Sequence, residues 1–265
     1  MYRQHFGLIA HPFRKNLAAD ELFISSAARE LTVRLEHWLD LRALALVTGE
    51  PGSGKTTLCR IFTGQLHPGL YRLFYVCHST GNTTDLYKLI SWELGLPTER
   101  SRAALYRVIH DEIVRLSVEV KTQPVLVIDE AHNLRSDVLE DLRLLTNYQM
   151  DSQNRLCLML IGQSELRRRL SMAVHEALAQ RIVIRHHLGG LGRDELAPYL
   201  SHLLRLAGTE LPLFSPEALE TLYQASAGLP RKINLIAHHA LLATACEKAR
   251  MVSAEHVHSA LGELR

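Results

Sequence analysis

Gly49-Glu50-Pro51-Gly52-Ser53-Gly54-Lys55-Thr56 follows directly on the apolar run Ala43 to Val47. It fills every fixed position of the phosphate-loop pattern GxxxxGK[ST]. A strand that turns sharply into a helix must aim backbone N–H groups at phosphate oxygens. Gly49, Gly52 and Gly54 supply the permissive dihedrals and close approach this requires, with Glu50, Pro51 and Ser53 between them and Thr57 behind. Lys55 is placed to reach the β- and γ-phosphates, and Thr56 to offer a hydroxyl to Mg²⁺. Chance would supply this pattern in roughly one chain in a hundred of this length. The strand before it and the helix-like Thr57 to Gln65 after it lower that figure, so the expected ligands are ATP and Mg²⁺.

Outward from the loop, four more apolar runs recur: Leu73 to Cys77, Val125 to Ile128, Leu156 to Ile161 and Ile182 to Leu188. Helix-period segments lie between them, at Asp85 to Leu94, Ala103 to Val120, Val138 to Tyr148 and Glu165 to Ala179. Strands alternating with helices predict an α/β fold with a parallel sheet covered on both faces. Gly189-Gly190-Leu191-Gly192 then punctuates the chain, and only helical periodicity follows. Residues 1–188 are therefore expected to form a nucleotide-binding α/β domain, with 1–40 as its N-terminal segment and helix, and 189–265 a small all-α lid. Ser215 before Pro216 is a helix start, and Ser253 is placed to cap the last helix likewise.

A phosphate loop needs an acidic strand end as partner, and Val125-Leu126-Val127-Ile128-Asp129-Glu130 provides it. Asp129 is expected to hold Mg²⁺ and Glu130 to orient the attacking water. The spelling Asp129-Glu130-Ala131-His132 matches that of DEAH helicases, but no further helicase motif accompanies it. The run Leu156 to Ile161 ends in Gly162-Gln163-Ser164. Gln163 is the candidate γ-phosphate sensor and Ser164 the second, with a helix cap at Ser164 as the plain alternative. Arg181, at the entrance to the last strand, could enter a neighbouring subunit's site as a finger, with Arg185 as its competitor. Arg231 opens a lid helix and could fold back onto the phosphates of its own subunit.

The composition narrows the class. With 265 residues, 47% of them hydrophobic and 22% charged, the chain can build one large core or a core plus a satellite domain. No apolar stretch is long enough to span a bilayer and no secretory leader is visible, so a cytoplasmic protein away from the membrane is expected. A net charge of +2 neither demands nor excludes nucleic acid. The cysteines Cys59, Cys77, Cys157 and Cys246 are scattered, which predicts reduced and mostly buried thiols rather than disulfides or zinc. The pairs within the 15 histidines are adjacent residues that point apart, so neither pair alone is a chelate.

These pieces in this order resemble an AAA+ ATPase. More narrowly, the chain is similar to the ExeA-like ATPases and to transposition helpers of the TniB, TnsC and MuB type. The residues that carry the likeness are Tyr2, Phe6-Gly7-Leu8, Pro12-Phe13, Thr48 to Thr57, Val127 to Leu134, Leu142 to Asn147, Gly162 to Leu166, Gln180-Arg181-Ile182 and Gly228 to Asn234. The resemblance implies a P-loop sheet of strand order 5-1-4-3-2 and an adenine pocket lined partly around Pro12 and Phe13. It implies Arg181 as trans finger, Arg231 as the second sensor, and ATP-dependent assembly into rings or filaments. Secretion-type ExeA proteins continue past the lid, where this chain stops. The expected function is therefore an ATPase that assembles on double-stranded DNA and recruits or activates a transposase. The alternatives are a secretion or signalling ATPase acting on a protein, and a helicase loader. Candidate DNA contacts are Thr80, Asn82 and Thr83 in the loop His78 to Thr84, and Arg100 with Arg102 in the next connector. The basic run Arg167-Arg168-Arg169 is expected to be a solvated helix face.

Overall fold

The computed structural model describes residues 2–14, 17–77, 81–150 and 152–264. Its strands are β1 (Leu44–Gly49), β2 (Tyr71–Val76), β3 (Gln123–Ile128), β4 (Cys157–Gly162) and β5 (Ile182–Leu188). Its helices are α1 (Tyr2–His5), α2 (Ser26–Leu41), α3 (Lys55–Gly64), α4 (Thr83–Leu94), α5 (Arg102–Val118), α6 (Ser136–Leu145), α7 (Ser164–Leu170), α8 (Glu176–Arg181), α9 (Arg193–Leu206), α10 (Pro216–Ser226), α11 (Pro230–Cys246) and α12 (Ala254–Glu263). All strand pairs are parallel and the order is β2-β3-β4-β1-β5, the expected 5-1-4-3-2 read from the other edge.

Side-chain alternation divides the sheet between two cores. Leu44, Leu46, Leu126, Ile128, Leu158 and Leu160 enter the larger one, with residues of α4 to α8. Their neighbours Ala45, Val47, Val125, Val127, Cys157, Met159 and Ile161 enter the other, with Leu31, Leu35 and Trp38 of α2 and Cys59 and Phe62 of α3. Two covered faces explain why these strands read as unbroken apolar runs. β5 shows what a bulge does to this parity. Leu44 pairs with Ile182 but Ala45 with Ile184, so Val183 is skipped and the two isoleucines fall on opposite faces. Among the described residues β2 pairs with β3 alone, and its Leu73 and Tyr75 stay partly exposed.

Contacts gather residues 30–51 and 55–188 into an α/β unit, and residues 1–29, 52–54 and 189–265 into a helical one. The N-terminal segment thus groups differently from the sequence-based division at 1–188. Tyr2 and Phe6, one helical turn apart, join Leu196, Leu200, Ile233 and Ala237 in one core, and Phe13 packs against it. Ser215 caps α10, its hydroxyl accepting from the Ala218 N–H at 3.1 Å. Ser253 is the N-cap of α12, in a capping box with His256. The His256 ring supplies the returning half of that box, Nδ1 accepting from the Ser253 N–H at 2.9 Å.

The periodic stretch Glu165 to Ala179 is not one helix. It breaks after α7, passes through a turn of 3-10 helix at Ala173–His175, and resumes as α8. His175 is buried there against Ser136, 3.2 Å from its hydroxyl. All four cysteines are free, but only Cys59 and Cys157 are buried, Cys77 and Cys246 being exposed. Burial pushes both buried thiols up to about 12, so they stay protonated. Among the described residues no helix is long and apolar enough to cross a membrane.

Candidate nucleotide site

Parallel strands all end on the same edge of a sheet, and ligands of open α/β sheets bind beyond that edge. β1 finishes at Gly49, paired one residue earlier with Gly162 at the end of β4, while β3 finishes at Ile128 beside Leu160. The loop after β1 needs glycine at two points, Gly52 with φ +85° and Gly54 with φ +96°. Both values lie where a side chain would be strained. Lys55 opens α3, and its ammonium donates to the carbonyls of Gly49 and Glu50 at 3.0 Å each. Ser53 is buried, and its hydroxyl has no partner among the described residues.

Asp129 is 4% exposed. Its Oδ2 accepts from Thr56 Oγ1 at 2.8 Å and from Tyr75 Oη at 3.1 Å, and its Oδ1 from the Glu130 N–H at 2.8 Å. Three donors thus converge on one carboxylate. Sequence alone does not single out Tyr75. Its signal was parity, since Tyr75 pairs with Val127, two residues before Asp129 and on the same face. Burial, and then the Asp129 charge, push the Tyr75 phenol well above its ordinary value, so it remains a donor.

Glu130 takes a left-handed backbone conformation, φ 53° and ψ 31°, before the 3-10 turn Ala131–Asn133. For a residue with a Cβ this costs about 1–3 kcal/mol and persists only where the surroundings over-determine it. Glu130 Oε2 lies 3.5 Å from His132 Nε2, and His132 Nε2 lies 2.8 Å from the Gln163 amide nitrogen. Ser164 is not the cap of α7, a position held by Gln163; its hydroxyl donates to Glu50 Oε1 at 2.6 Å. Arg169 departs from the expected solvated face. It donates to the His132 carbonyl at 2.7 Å and the Leu134 carbonyl at 2.6 Å.

Arg181 closes α8, where its Nη1 donates to Thr146 Oγ1 at 3.2 Å and to the Arg143 carbonyl at 3.4 Å, at the carboxyl end of α6. Arg185 donates to the Ala179 carbonyl. Within the helical unit, to which residues 52–54 belong, the Arg231 N–H donates to the Gly52 carbonyl at 3.2 Å. A Cβ on Gly52 would come within 2.6 Å of Arg231 Cβ, so glycine is needed there for space as well as dihedral. Pro12 is buried and Phe13 half-buried against the helical core.

The candidate DNA residues are largely occupied by local structure. Thr80 lies outside the described residues. Asn82 caps α4, its side chain accepting from the Asp85 N–H at 3.1 Å, and Thr83 is buried. The Arg102 guanidinium pairs with the buried Asp141. Arg100 is exposed.

Among the described residues no group of three or more His, Cys, Asp or Glu is placed to hold a metal ion. The donor set nevertheless suits Mg²⁺ bound with a nucleotide, because Mg²⁺ takes one or two protein oxygens and completes its shell with phosphate and water. Thr56 Oγ1 and Asp129 Oδ2 are oxygens that could serve in that role. The orphan Ser53 hydroxyl and the positive-φ glycines suit a phosphate in the loop.

A family model described as an AAA domain matches residues 39–170. The chain is 37% identical over 246 residues to general secretion pathway protein A of Aeromonas hydrophila, which covers 92% of this chain and 45% of that protein. It thus spans less than half the length of that relative. Among solved structures, Cdc6p of Pyrobaculum aerophilum superposes with a TM-score of 0.69 at 16% identity, over 95% of this chain and 70% of that one. The Aeropyrum pernix ORC1 protein in complex with DNA gives 0.62 at 19% identity, over 98% and 69%. These structural likenesses speak to the fold, while none of these relatives is a transposition helper. Together with the loop and its acidic partner strand, they show that residues 39–170 match an AAA domain and that the sheet has the P-loop AAA+ fold.

Proposed function

We propose that the chain is an ATP-timed switch, assembling with its own copies while ATP is bound and released by hydrolysis. The observation that carries this reading is the 2.8 Å contact between Thr56 and Asp129, which joins the phosphate loop to the acidic strand end. Lys55 would bind the β- and γ-phosphates. Mg²⁺, held by Thr56 and Asp129, would supply neutralisation of phosphate charge. Glu130 would orient the attacking water and Gln163 report the γ-phosphate. Arg231 would act from the chain's own lid and Arg181 from the neighbouring copy. Pro12 and Phe13 would line the adenine pocket, and the sheet domain with its lid would form the moving pair.

The client in this reading is double-stranded DNA, held through phosphates with little base reading, where the assembly would recruit a transposase. The DNA complex of the Aeropyrum pernix ORC1 protein supports the plausibility of such a client for this fold. A second reading, an ATPase acting on a protein partner in secretion, is favoured by the 37% identity to general secretion pathway protein A. A gel shift with duplex DNA at low salt, with and without ATP, separates the two. An ATP-dependent complex that weakens as salt rises supports the DNA client. Its absence at low salt overturns it in favour of the protein partner.

A further inference from the structure

We propose that His132 is a positioning residue for Glu130, and that it links the Glu130 carboxylate to Gln163. The inference rests on the reading of Glu130 as the water-orienting group. One ring nitrogen carries the argument, because His132 Nε2 faces both the Gln163 amide, at 2.8 Å, and Glu130 Oε2, at 3.5 Å. An amide nitrogen can only donate, so while Gln163 is engaged His132 Nε2 accepts with its single lone pair and carries no hydrogen. Glu130 then has no hydrogen to accept from that nitrogen. When the Gln163 amide leaves, Nε2 is able to carry a hydrogen and donate it to Glu130.

Two observations make this exchange possible. His132 Nδ1 is buried without a hydrogen-bond partner among the described residues, so nothing on the far side of the ring locks one tautomer. The backbone beneath the ring is held still, by Arg169 on the carbonyls of His132 and Leu134 and by the close approach of Gly162. A Cβ on Gly162 would come within 3.2 Å of the His132 backbone nitrogen. The His132 side chain is 10% exposed and that of Glu130 52%, so the ring is the fixed member and the carboxylate the movable one. A γ-phosphate that draws Gln163 away would thereby pass its presence to Glu130 through His132.

The test compares His132→Ala, His132→Asn, Gln163→Ala and the His132→Ala/Gln163→Ala double variant of the full chain, with Glu130→Gln as reference. ATP affinity, kcat and KM are measured for each. His132→Ala and Gln163→Ala should each lower kcat on the order of 10- to 100-fold. KM should stay within about twofold of the parent. The double variant should lose no more than the worse single one, and His132→Asn should recover part of the loss. Parental turnover in His132→Ala, or a double loss equal to the product of the singles, overturns the proposal. If His132→Ala fails to fold, parental turnover in Gln163→Ala overturns it equally. Parental turnover in Glu130→Gln removes the water-orienting reading and the proposal with it. A crippled Glu130→Gln beside an intact His132→Ala defeats the His132 link alone.

Discussion

The ends of β1 and β3 and the segment after β2 look alike as sequence, each an apolar strand running into residues able to meet phosphate, yet the fold uses them differently. After β1 and β3, Thr56 and Asp129 come together across the sheet edge with Lys55 beside them. After β2, the Asn82 side chain is spent on the first turn of α4, Thr83 is buried, and Arg102 answers the charge of Asp141. Helix ends and buried charges take hydrogen-bonding partners before any ligand does. Polar residues in a loop therefore signal a site only when something other than the nearest helix end claims them.

Three substitutions break or sharpen that contrast. Lys55→Ala should have the largest effect, weakening ATP binding by roughly 100-fold or more, about 2.8 kcal/mol, with the melting temperature of the nucleotide-free protein nearly unchanged. Calorimetric titration with ATP checks it, and parental affinity would place phosphate binding elsewhere. Arg102→Ala should act on stability. Leaving Asp141 buried without its cation costs about 1–3 kcal/mol, less than for a fully buried pair because the Arg102 side chain is 57% exposed. Denaturant unfolding measures this. A loss of duplex DNA binding with unchanged stability would return Arg102 to the client surface. Asn82→Ala should be mildest, about 1 kcal/mol for a lost helix cap, read from the same unfolding curves. A variant as stable as the parent would free Asn82 for a ligand role.

The residues legible in advance were those whose placement is set by neighbours in sequence. The glycines of the loop, Lys55, Thr56 and the acidic pair after β3 are spaced by the geometry of one strand and one turn. Tyr75, Arg169 and the link through His132 were not legible. Each depends on which strands are adjacent and on where α7 ends, and a one-residue change of register would remove Tyr75 from Asp129. The expected helix Glu165 to Ala179 failed for a related reason. Its apolar spacing continues through Val174, but His175 is drawn into the core beside Ser136, and that packing outweighs local periodicity.

The sequence by itself determined the fold class, the phosphate loop and the acidic strand end, because each is a local pattern whose chemistry follows from spacing along the chain. Only the tertiary structure decided which polar side chains remain to meet a ligand. That choice turns on strand order, on the parity of β2 against β3, and on the contacts of α7, all of which join residues far apart in the chain.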